Sequence, residues 1–474
     1  MKALLALTIV AAACGRVANA QAAANWNTYG GDPQRSGWER TDPSISKDTV
    51  KDFQLLWKMK LEVQPKGLQP VQPPLIMGRL ISYRGFKELA FVGTNSDIVY
   101  AIDADLGKMF WQKHLEYAAV DPPATTSTLS CPGGLTATPT LPPAPGRGGA
   151  GRGAPGAPAA PAAPAGRSGF IGTGPASVYT ISSDGRLHRL NSSTGDDMVM
   201  PVGVLPANAR AHSLNMNDNV VYTITGHECN GAVDAVWAID LSGDALKVSS
   251  YAVNNGAGPA IGTDGTVYVQ SSTALVALSP RDLQLKQSFP LAGANSSPLV
   301  FAYKNRDVIA TAGKDGRLYL FDSTKLAEPL YQSAPVAPEI GGSLSSWEDN
   351  GTRWVLTATN GSIVAFKVEE QGGKTVLTPA WTSREMNSPQ PPVIASGVVF
   401  ALSAGEFTGA DRRPKSGTRA TLYALDAATG KELYSSRNLV NGPASLAGLT
   451  VANGRVYFGT LDGTFYAFGM YMEH

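Results

Sequence analysis

Short stretches in which hydrophobic and polar residues alternate follow one another through most of the chain, separated by turns rich in glycine, asparagine and aspartate. Alternation with a period of two, together with β-branched and aromatic side chains, is typical of strands. The 3.6-residue spacing of an amphipathic helix is nowhere sustained. The pattern therefore predicts an all-β protein built from many short strands.

A single motif recurs along the chain, and its fullest copies lie at 90–111 and 421–434. Each has a β-branched strand, a turn, a second strand that ends in Ala-aliphatic-Asp, and a glycine-containing turn before an aromatic residue. Weaker copies are found at 178–197, 220–244, 266–282, 308–325, 354–370 and 455–469. The equivalents of the motif's aspartate are Asp103, Asn191, Asp240, Ser279, Asp322, Lys367, Asp426 and Gly469.

Most of these equivalent positions are separated by roughly 40 to 50 residues, the length of one four-stranded propeller blade. The repeat therefore predicts an all-β propeller of eight four-stranded blades. Seven blades are the alternative if the copy at 266–282 is not a structural unit. The last copy stops before an outer strand, whereas residues 55–61 form a strand with Trp57 that has no copy of its own. We therefore expect this N-terminal strand to complete the last blade and close the ring.

Residues 1–20 have the pattern of an export signal. Lys2 supplies the positive charge, Leu4–Ala13 the apolar stretch and Ala18–Ala20 the small-x-small cleavage pattern. Cys14 offers a second interpretation, in which this cysteine carries a lipid anchor. No later apolar stretch is long enough for a transmembrane helix. The protein is therefore predicted to be periplasmic or secreted.

The remainder divides into a lead-in at 21–54 and the propeller at 55–474. Residues 138–169 interrupt the propeller with a run of proline, glycine and alanine that contains three arginines. Such a composition cannot bury a core, so we expect a disordered insertion there. A charged loop at 404–420 lengthens another interval between repeats.

Charge and cysteine content narrow the possible functions. A net charge of +1 with 16% charged residues argues against a nucleic-acid-binding protein. After removal of the signal only Cys131 and Cys229 remain, and they either form a disulfide or stay as two buried thiols. No CxxC, HExxH or His-x-His spacing occurs, which argues against a zinc site.

The repeat, together with the lead-in WNTYGGDPQRSGW at 26–38, resembles the pyrroloquinoline quinone (PQQ) repeat propellers, which include the quinoprotein alcohol dehydrogenases. This resemblance covers roughly residues 26–474. It implies a propeller with an axial funnel. The same fold serves as a non-catalytic scaffold in the outer-membrane barrel-assembly lipoprotein, so the resemblance alone does not assign an activity.

For an enzyme of this family, the resemblance implies PQQ at the mouth of the funnel and a calcium or lanthanide ion on the quinone. The segment at 312–322 resembles the one that carries the family's quinone-contacting cation, which would be Lys314. The segment at 227–240 resembles the blade with the metal-binding glutamate, which would be Glu228, displaced by one position.

Three other positions depart from the family pattern. The segment at 290–298, where the catalytic aspartate is expected, contains no carboxylate. Gln270 and the two serines after it stand where a metal-binding asparagine is expected, and 130–134 contains only Cys131 instead of a cysteine pair. The general base is therefore unidentified.

Two hypotheses of different class follow. The first is an oxidoreductase that uses PQQ and Ca²⁺ or a lanthanide to oxidise a small-molecule alcohol. It would pass electrons to a separate acceptor, because the chain has no CxxCH haem motif. The second is a non-catalytic propeller that holds protein partners in the cell envelope through its faces and loops.

Overall fold

The computed structural model describes residues 25–64, 67–82, 85–115, 130–143, 176–293, 296–338, 340–406 and 418–471. Within these ranges the chain forms strands and two single-turn 3-10 helices, Thr49–Asp52 and Cys229–Gly231. No helix in these ranges has the length and apolar character needed to cross a membrane. The predicted signal at 1–20, with Cys14, lies outside the described residues.

The strands form eight blades, antiparallel except that Trp38–Glu39 pairs in parallel with Val393–Ala395, and this confirms the predicted eight-bladed propeller over the seven-bladed alternative. Blade 1 contains Leu75–Ser82, Gly85–Thr94, Ile98–Asp103 and Lys108–His114, and blade 2 contains Ser177–Ile181, Arg186–Asn191 and Val202–Gly203. Blade 3 contains Ala211–Asn217, Val220–Thr225, Ala235–Asp240 and Lys247–Ala252. Blade 4 contains Ala260–Ile261, Val267–Gln270, Ala274–Leu278 and Leu285–Pro290. Blades 5 and 6 contain Leu299–Tyr303, Arg306–Ala312, Leu318–Asp322 and Tyr331–Gln332; and Ile340–Asp349, Thr352–Thr359, Ile363–Gln371 and Lys374–Thr382. Blade 7 contains Trp38–Glu39, Val393–Ala395, Val398–Ser403, Thr421–Asp426 and Glu432–Ser435, and blade 8 contains Thr450–Ala452, Arg455–Gly459, Thr464–Gly469 and Gln54–Lys60.

The ring closes between the two ends of the chain. The strand Gln54–Lys60 pairs antiparallel with Thr464–Gly469, which confirms the predicted closure by 55–61. The buried apolar cluster continues across this seam, since Ile76 of blade 1, Phe400 of blade 7 and Phe458 of blade 8 belong to it. Closure pairs two strand edges that would otherwise be open.

Because consecutive strands of a blade run in opposite directions, the turns between them lie on two opposite faces of the propeller. The turns between the second and third strands of each blade, with the blade-to-blade connections, lie on what we call the upper face. The turns between the first and second strands, and between the third and fourth, lie on the lower face. Innermost first strands of neighbouring blades contact one another around the axis.

The lead-in forms hydrogen bonds with most of the blades. Residues 26–38 follow the axis and bond to the innermost strands of seven blades in succession. The bonded pairs, blade by blade, are Trp26 with Ile76, Asn27 with Leu141, Thr28 with Leu214, Pro33 with Ile261, Gln34 with Val300, Ser36 with Ser346, and Gly37 with Ile394. The glycine-rich motif of the lead-in therefore fills the axis at this level and ties the blades together.

The aromatic residue and the turn glycine of the repeat form the same contact at three interfaces between neighbouring blades. The indole nitrogens of three outer-strand tryptophans donate to a backbone oxygen of the next blade, and a glycine of that blade's turn lies against each ring. The three sets are Trp57 with Ala104 and Gly107, Trp111 with Ser192 and Gly195, and Trp381 with Ala427 and Gly430. Each glycine has a positive φ, and a Cβ there would lie within 2.7 Å of the ring. Only glycine fits such a turn.

The predicted insertion at 138–169 begins later than its composition indicated. Residues 138–141 are buried, and Thr140 pairs with Tyr179, so these residues form the inner edge of blade 2. The interruption therefore falls within blade 2. Residues 144–175 lie outside the described part of the chain, and the disorder expected there remains a prediction.

Candidate functional site

Lys314 lies on the upper face, in the turn that follows strand Arg306–Ala312 of blade 5. Its backbone N–H donates to the oxygen of Ala292 at 2.7 Å, and its side chain is exposed to solvent. The turn that holds it is closed by Gly316, whose positive φ of 75° is favourable for glycine. This lysine is therefore accessible from the upper face.

Glu228 lies on the same face, in the turn between the second and third strands of blade 3. Its backbone N–H donates to Asp234 Oδ1 at 2.7 Å, and its carboxylate is exposed. In the part of the chain that the structure describes, no hydrogen bond or ion pair joins Glu228 to Lys314. The two residues therefore share a face but belong to blades that are not neighbours.

A disulfide links this turn to the neighbouring blade. Cys131, in the segment that enters blade 2, is bonded to Cys229, and their Cα atoms are 5.5 Å apart. The structure thus selects the paired alternative over two buried thiols. Because Cys229 directly follows Glu228, the crosslink holds the turn of blade 3 against blade 2.

Arg35 lies at the axis below these turns and is almost fully buried. Its guanidinium donates to the backbone oxygens of Pro259 at 2.8 Å, Tyr29 at 2.9 Å and Ser213 at 2.8 Å. Burial lowers the pKa of Arg35 to about 10, so the group stays charged at neutral pH. The guanidinium of Arg35 therefore joins the lead-in to blades 3 and 4 by hydrogen bonds.

The axial cavity beside Arg35 is small. It has a volume of about 20 Å³ and lies between the lead-in and the inner strands of blades 6, 7 and 8, with Tyr29, Ser343 and Gly448 in its wall. A space of this size has room for about one water molecule. Tyr29 and Arg35 of the lead-in line this cavity.

Gln270 takes the position where the resemblance places a metal-binding asparagine. Its side chain is buried, and its amide nitrogen donates to the oxygens of Ser271 at 2.9 Å and Leu291 at 3.0 Å. Its amide oxygen accepts from the hydroxyl of Thr311 at 3.2 Å. These hydrogen bonds therefore stabilise the turn of blade 4 and join it to blade 5.

His212, at the start of blade 3, is a half-buried residue that sequence reasoning missed. Burial lowers its pKa to about 3, and the guanidinium groups of Arg210 and Arg35 and the imidazole of His227 act in the same direction. His212 is therefore neutral near pH 7. Arg35 was also missed, although it lies inside the lead-in motif that carried the family resemblance.

A divalent or trivalent metal ion needs several oxygen ligands that converge on one point. Over the described ranges no group of three or more His, Cys, Asp or Glu side chains is placed to hold an ion. The described part of 290–298 contains no carboxylate. The donor set of these residues does not fit the metal centre that the resemblance implies, and we derive no reaction step through it.

Two kinds of comparison describe the relatives of this chain. Residues 380–470, from the end of blade 6 through the C-terminal strands of blade 8, match the PQQ_2 family model, described as Outer membrane protein assembly factor BamB. The quinohemoprotein alcohol dehydrogenase from Comamonas testosteroni superposes with a TM-score of 0.60 at 15% identity, covering 96% of this chain and 82% of that one.

Two further structures share the fold. BamB from Moraxella catarrhalis has a TM-score of 0.52 at 15% identity, covering 89% of this chain and 99% of that chain. A europium-containing methanol dehydrogenase has a TM-score of 0.56 at 11% identity, with coverages of 94% and 98%. The predicted resemblance is thereby confirmed: the chain has the β-propeller fold of quinoprotein alcohol dehydrogenases and of BamB, and its last part matches a PQQ-repeat family model.

Proposed function

We propose that this protein is a non-catalytic propeller that holds protein partners in the cell envelope. The observation that carries the proposal is the use of the polar side chains at the axis. Arg35 and Gln270 donate to backbone oxygens. These two polar groups at the axis therefore stabilise the fold and are engaged by the protein itself. The BamB family match at 380–470 and the BamB fold over almost that protein's full length support the same function.

A second candidate is PQQ-dependent oxidation of a small-molecule alcohol. The exposed Lys314 on the upper face favours it, because this is the residue that the resemblance assigns to the quinone. Glu228 would then be a ligand of Ca²⁺ or a lanthanide, and a separate protein would accept the electrons. Two of the structural relatives are named as alcohol dehydrogenases, and their fold supports this candidate without selecting it.

Calorimetric titration separates the two candidates. The chain from Gln21, without the predicted signal, is titrated with PQQ in the presence of Ca²⁺ and then of a lanthanide. We expect no saturable binding and no oxidation of alcohols with an artificial electron acceptor. One-to-one binding that Lys314→Ala weakens, in a variant with an unchanged unfolding midpoint, would establish the quinoprotein and overturn the scaffold.

A positive test of the scaffold uses site-specific photo-crosslinking in intact envelopes. Val233 lies on the upper face and is 61% exposed, so a crosslinker there samples molecules bound to this face. We expect a discrete protein adduct. A crosslinker at Leu285, on the outer strand of blade 4 and 50% exposed, is the matched control. Equal, diffuse labelling from both positions would contradict a defined partner.

A further inference from the structure

A cavity opens on the lower face between blades 5 and 6. Its volume is about 300 Å³, whereas that of the axial cavity is about 20 Å³. Its wall is formed by the first hairpin of blade 5, the first hairpin of blade 6 and the third strand of blade 6. A volume of this size lies at the lower end of the range for small-molecule sites, so the cavity is large enough for a small ligand.

Two tight turns hold the opposite sides of this cavity in place. Each is a two-residue loop between the first and second strands of its blade, Lys304 and Asn305 in blade 5 and Asn350 and Gly351 in blade 6. All four loop residues have a positive φ, between 47° and 80°. This is the turn geometry that matches the twist of paired strands, so backbone conformation sets the position of both sides.

Arg353 is a buried cation in the wall of the cavity, with only 8% of its surface exposed. Its Nη2 donates to Oε2 of Glu348, whereas its Nε is buried and has no acceptor in the described part of the chain. The rings of Trp38 and Phe301 lie 5.7 Å and 5.6 Å from the guanidinium carbon, and they attract the cation without accepting a hydrogen bond in its plane. Since a guanidinium has five N–H donors, Arg353 retains donors for a further acceptor.

The other charged side chains near Arg353 are of both signs. Lys304 is 60% exposed, and its Nζ lies 3.8 Å from Oε1 of Glu370, which is a long surface ion pair of little strength. Glu348 is 43% exposed, and its second oxygen, Oε1, accepts no hydrogen bond within the described ranges. The cavity therefore offers donors on two cations and a free acceptor on one carboxylate.

This distribution of charge determines the class of ligand. A simple anion would lie against the carboxylate of Glu348, and a simple cation would lie against Arg353 and Lys304, so each would meet a like charge. A further carboxylate in the wall, Glu369, already accepts from the hydroxyl of Thr378 at 2.8 Å. A small zwitterion places one charge against each sign, and the planar guanidinium suits a carboxylate.

We propose that this cavity binds a free α-amino acid, with its carboxylate on Arg353 and Lys304 and its ammonium group on Glu348. Such recognition uses the two charged groups that all α-amino acids share, so one of them can serve as the probe. The cavity lies on the face opposite Lys314 and Glu228 of the candidate functional site. The inference therefore does not depend on whether the protein is a scaffold or a quinoprotein.

Calorimetric titration with L-leucine tests this proposal. The chain from Gln21 is used near neutral pH and at low ionic strength, where charged contacts are screened least. We expect saturable one-to-one binding. N-acetyl-L-leucine, which lacks the ammonium group, and L-leucinamide, which lacks the carboxylate, should each bind at least tenfold more weakly, because each loses one set of charge-assisted hydrogen bonds.

Variants of the chain locate the site. Glu348→Gln keeps an oxygen for Arg353 but loses the negative charge, and we expect it to weaken the binding of L-leucine at least tenfold. Lys304→Gln, at the exposed rim, should weaken binding about threefold. Arg353→Gln should abolish binding. If this buried change prevents folding, the two exposed variants and the two leucine derivatives still test the proposal.

Arg384→Gln is the matched control. Arg384 also forms an ion pair with a glutamate, Glu432, at 2.7 Å, and lies 4.8 Å from the centre of the Tyr423 ring, but it is outside the cavity wall. This variant should bind L-leucine like the wild type, and an equal loss in Arg384→Gln and Glu348→Gln would overturn the assignment. Absence of saturable binding would also overturn the proposal. Equal affinity for L-leucine and N-acetyl-L-leucine would identify a plain anion site instead.

Discussion

The indole nitrogen of Trp57 donates to the backbone oxygen of Ala104 at 3.0 Å, and this bond joins the last blade of the propeller to the first. Trp57 comes from the N-terminal strand, whereas the other strands of its blade come from the C-terminus. The same bond is formed inside the ring by Trp111 and Ser192 at 2.9 Å. The seam therefore uses the same contact as an ordinary blade interface.

Replacement of this tryptophan should destabilise the closed ring. We expect Trp57→Phe to lower the free energy of unfolding by about 1 kcal/mol, the usual value of one lost hydrogen bond. Trp111→Phe, which removes the equivalent bond, is the control and should have a similar effect. Urea unfolding followed by fluorescence measures both. A loss at Trp111 with none at Trp57 would mean that the seam does not depend on this contact.

The glycine beneath the indole should tolerate no side chain. Gly107 has a φ of 61°, and a Cβ there would lie 2.4 Å from the Trp57 ring. Gly351→Ala is the matched control, since Gly351 has a φ of 80° and no heavy atom within 4 Å of its Cβ position. Both changes strain the backbone, but only Gly107→Ala also displaces the ring. We expect it to cost about 2 kcal/mol more in thermal unfolding, and equal costs would refute the steric explanation.

Arg35 should be essential for the lead-in. Arg35→Met would remove the guanidinium bonds to three backbone oxygens at the axis, of which that of Pro259 still accepts from Asn215, and we expect a loss of at least about 3 kcal/mol in stability. Arg35→Lys should rescue only part of it, because one ammonium group cannot reach three separate carbonyls. The exposed Arg437→Met is the control. Full rescue by lysine, measured by urea unfolding, would mean that charge alone matters.

Reduction of the disulfide should weaken the fold. Cys131 and Cys229 are 98 residues apart, and release of a crosslink over such a separation typically costs about 2 to 5 kcal/mol. We expect dithiothreitol to lower the urea midpoint of the wild-type chain. The variant with both cysteines changed to serine should start from the lower midpoint and not respond to the reductant. Identical midpoints for oxidised and reduced wild type would contradict this.

Acid should destabilise the protein through His212. Its folded pKa of about 3 lies below the ordinary value of 6.5, so between these values the unfolded state binds more protons than the folded state. The free energy of unfolding should therefore fall as the pH falls below 6.5, by at most about 1.4 kcal/mol per pH unit from this group. His212→Gln should flatten this part of the curve. Parallel curves for wild type and His212→Gln would exclude this contribution.

The blades could be counted from the repeat because each copy contains the residues that form its own turn. Asp103 ends the third strand of blade 1 and accepts the backbone N–H groups of Asp105 and Leu106, which forms the turn that presents Gly107. Asp426 does the same in blade 7. Such turns depend on nearby residues only, so they can be read from the sequence. The closure by 55–61 followed because one copy lacked a strand.

The candidate site could not be predicted to the same extent. Lys314 and Glu228 were assigned from the family resemblance, and the structure places both on the upper face without joining them. Gln270 looked like an altered metal ligand, but its amide bonds to Leu291 and Thr311. Which way a buried amide points depends on neighbours that are distant in the chain. Local sequence therefore says little about it.

The strand pattern, the number of blades and the closure of the ring could be predicted from the amino-acid sequence, because these depend on alternation, turn residues and a repeating period. The use of the axis became visible in the folded chain alone. It placed the lead-in along seven inner strands, set Arg35 against carbonyls more than 170 residues away, and paired Cys131 with Cys229. These contacts join segments that are far apart in the chain, and nothing in the local pattern of either segment specifies its partner.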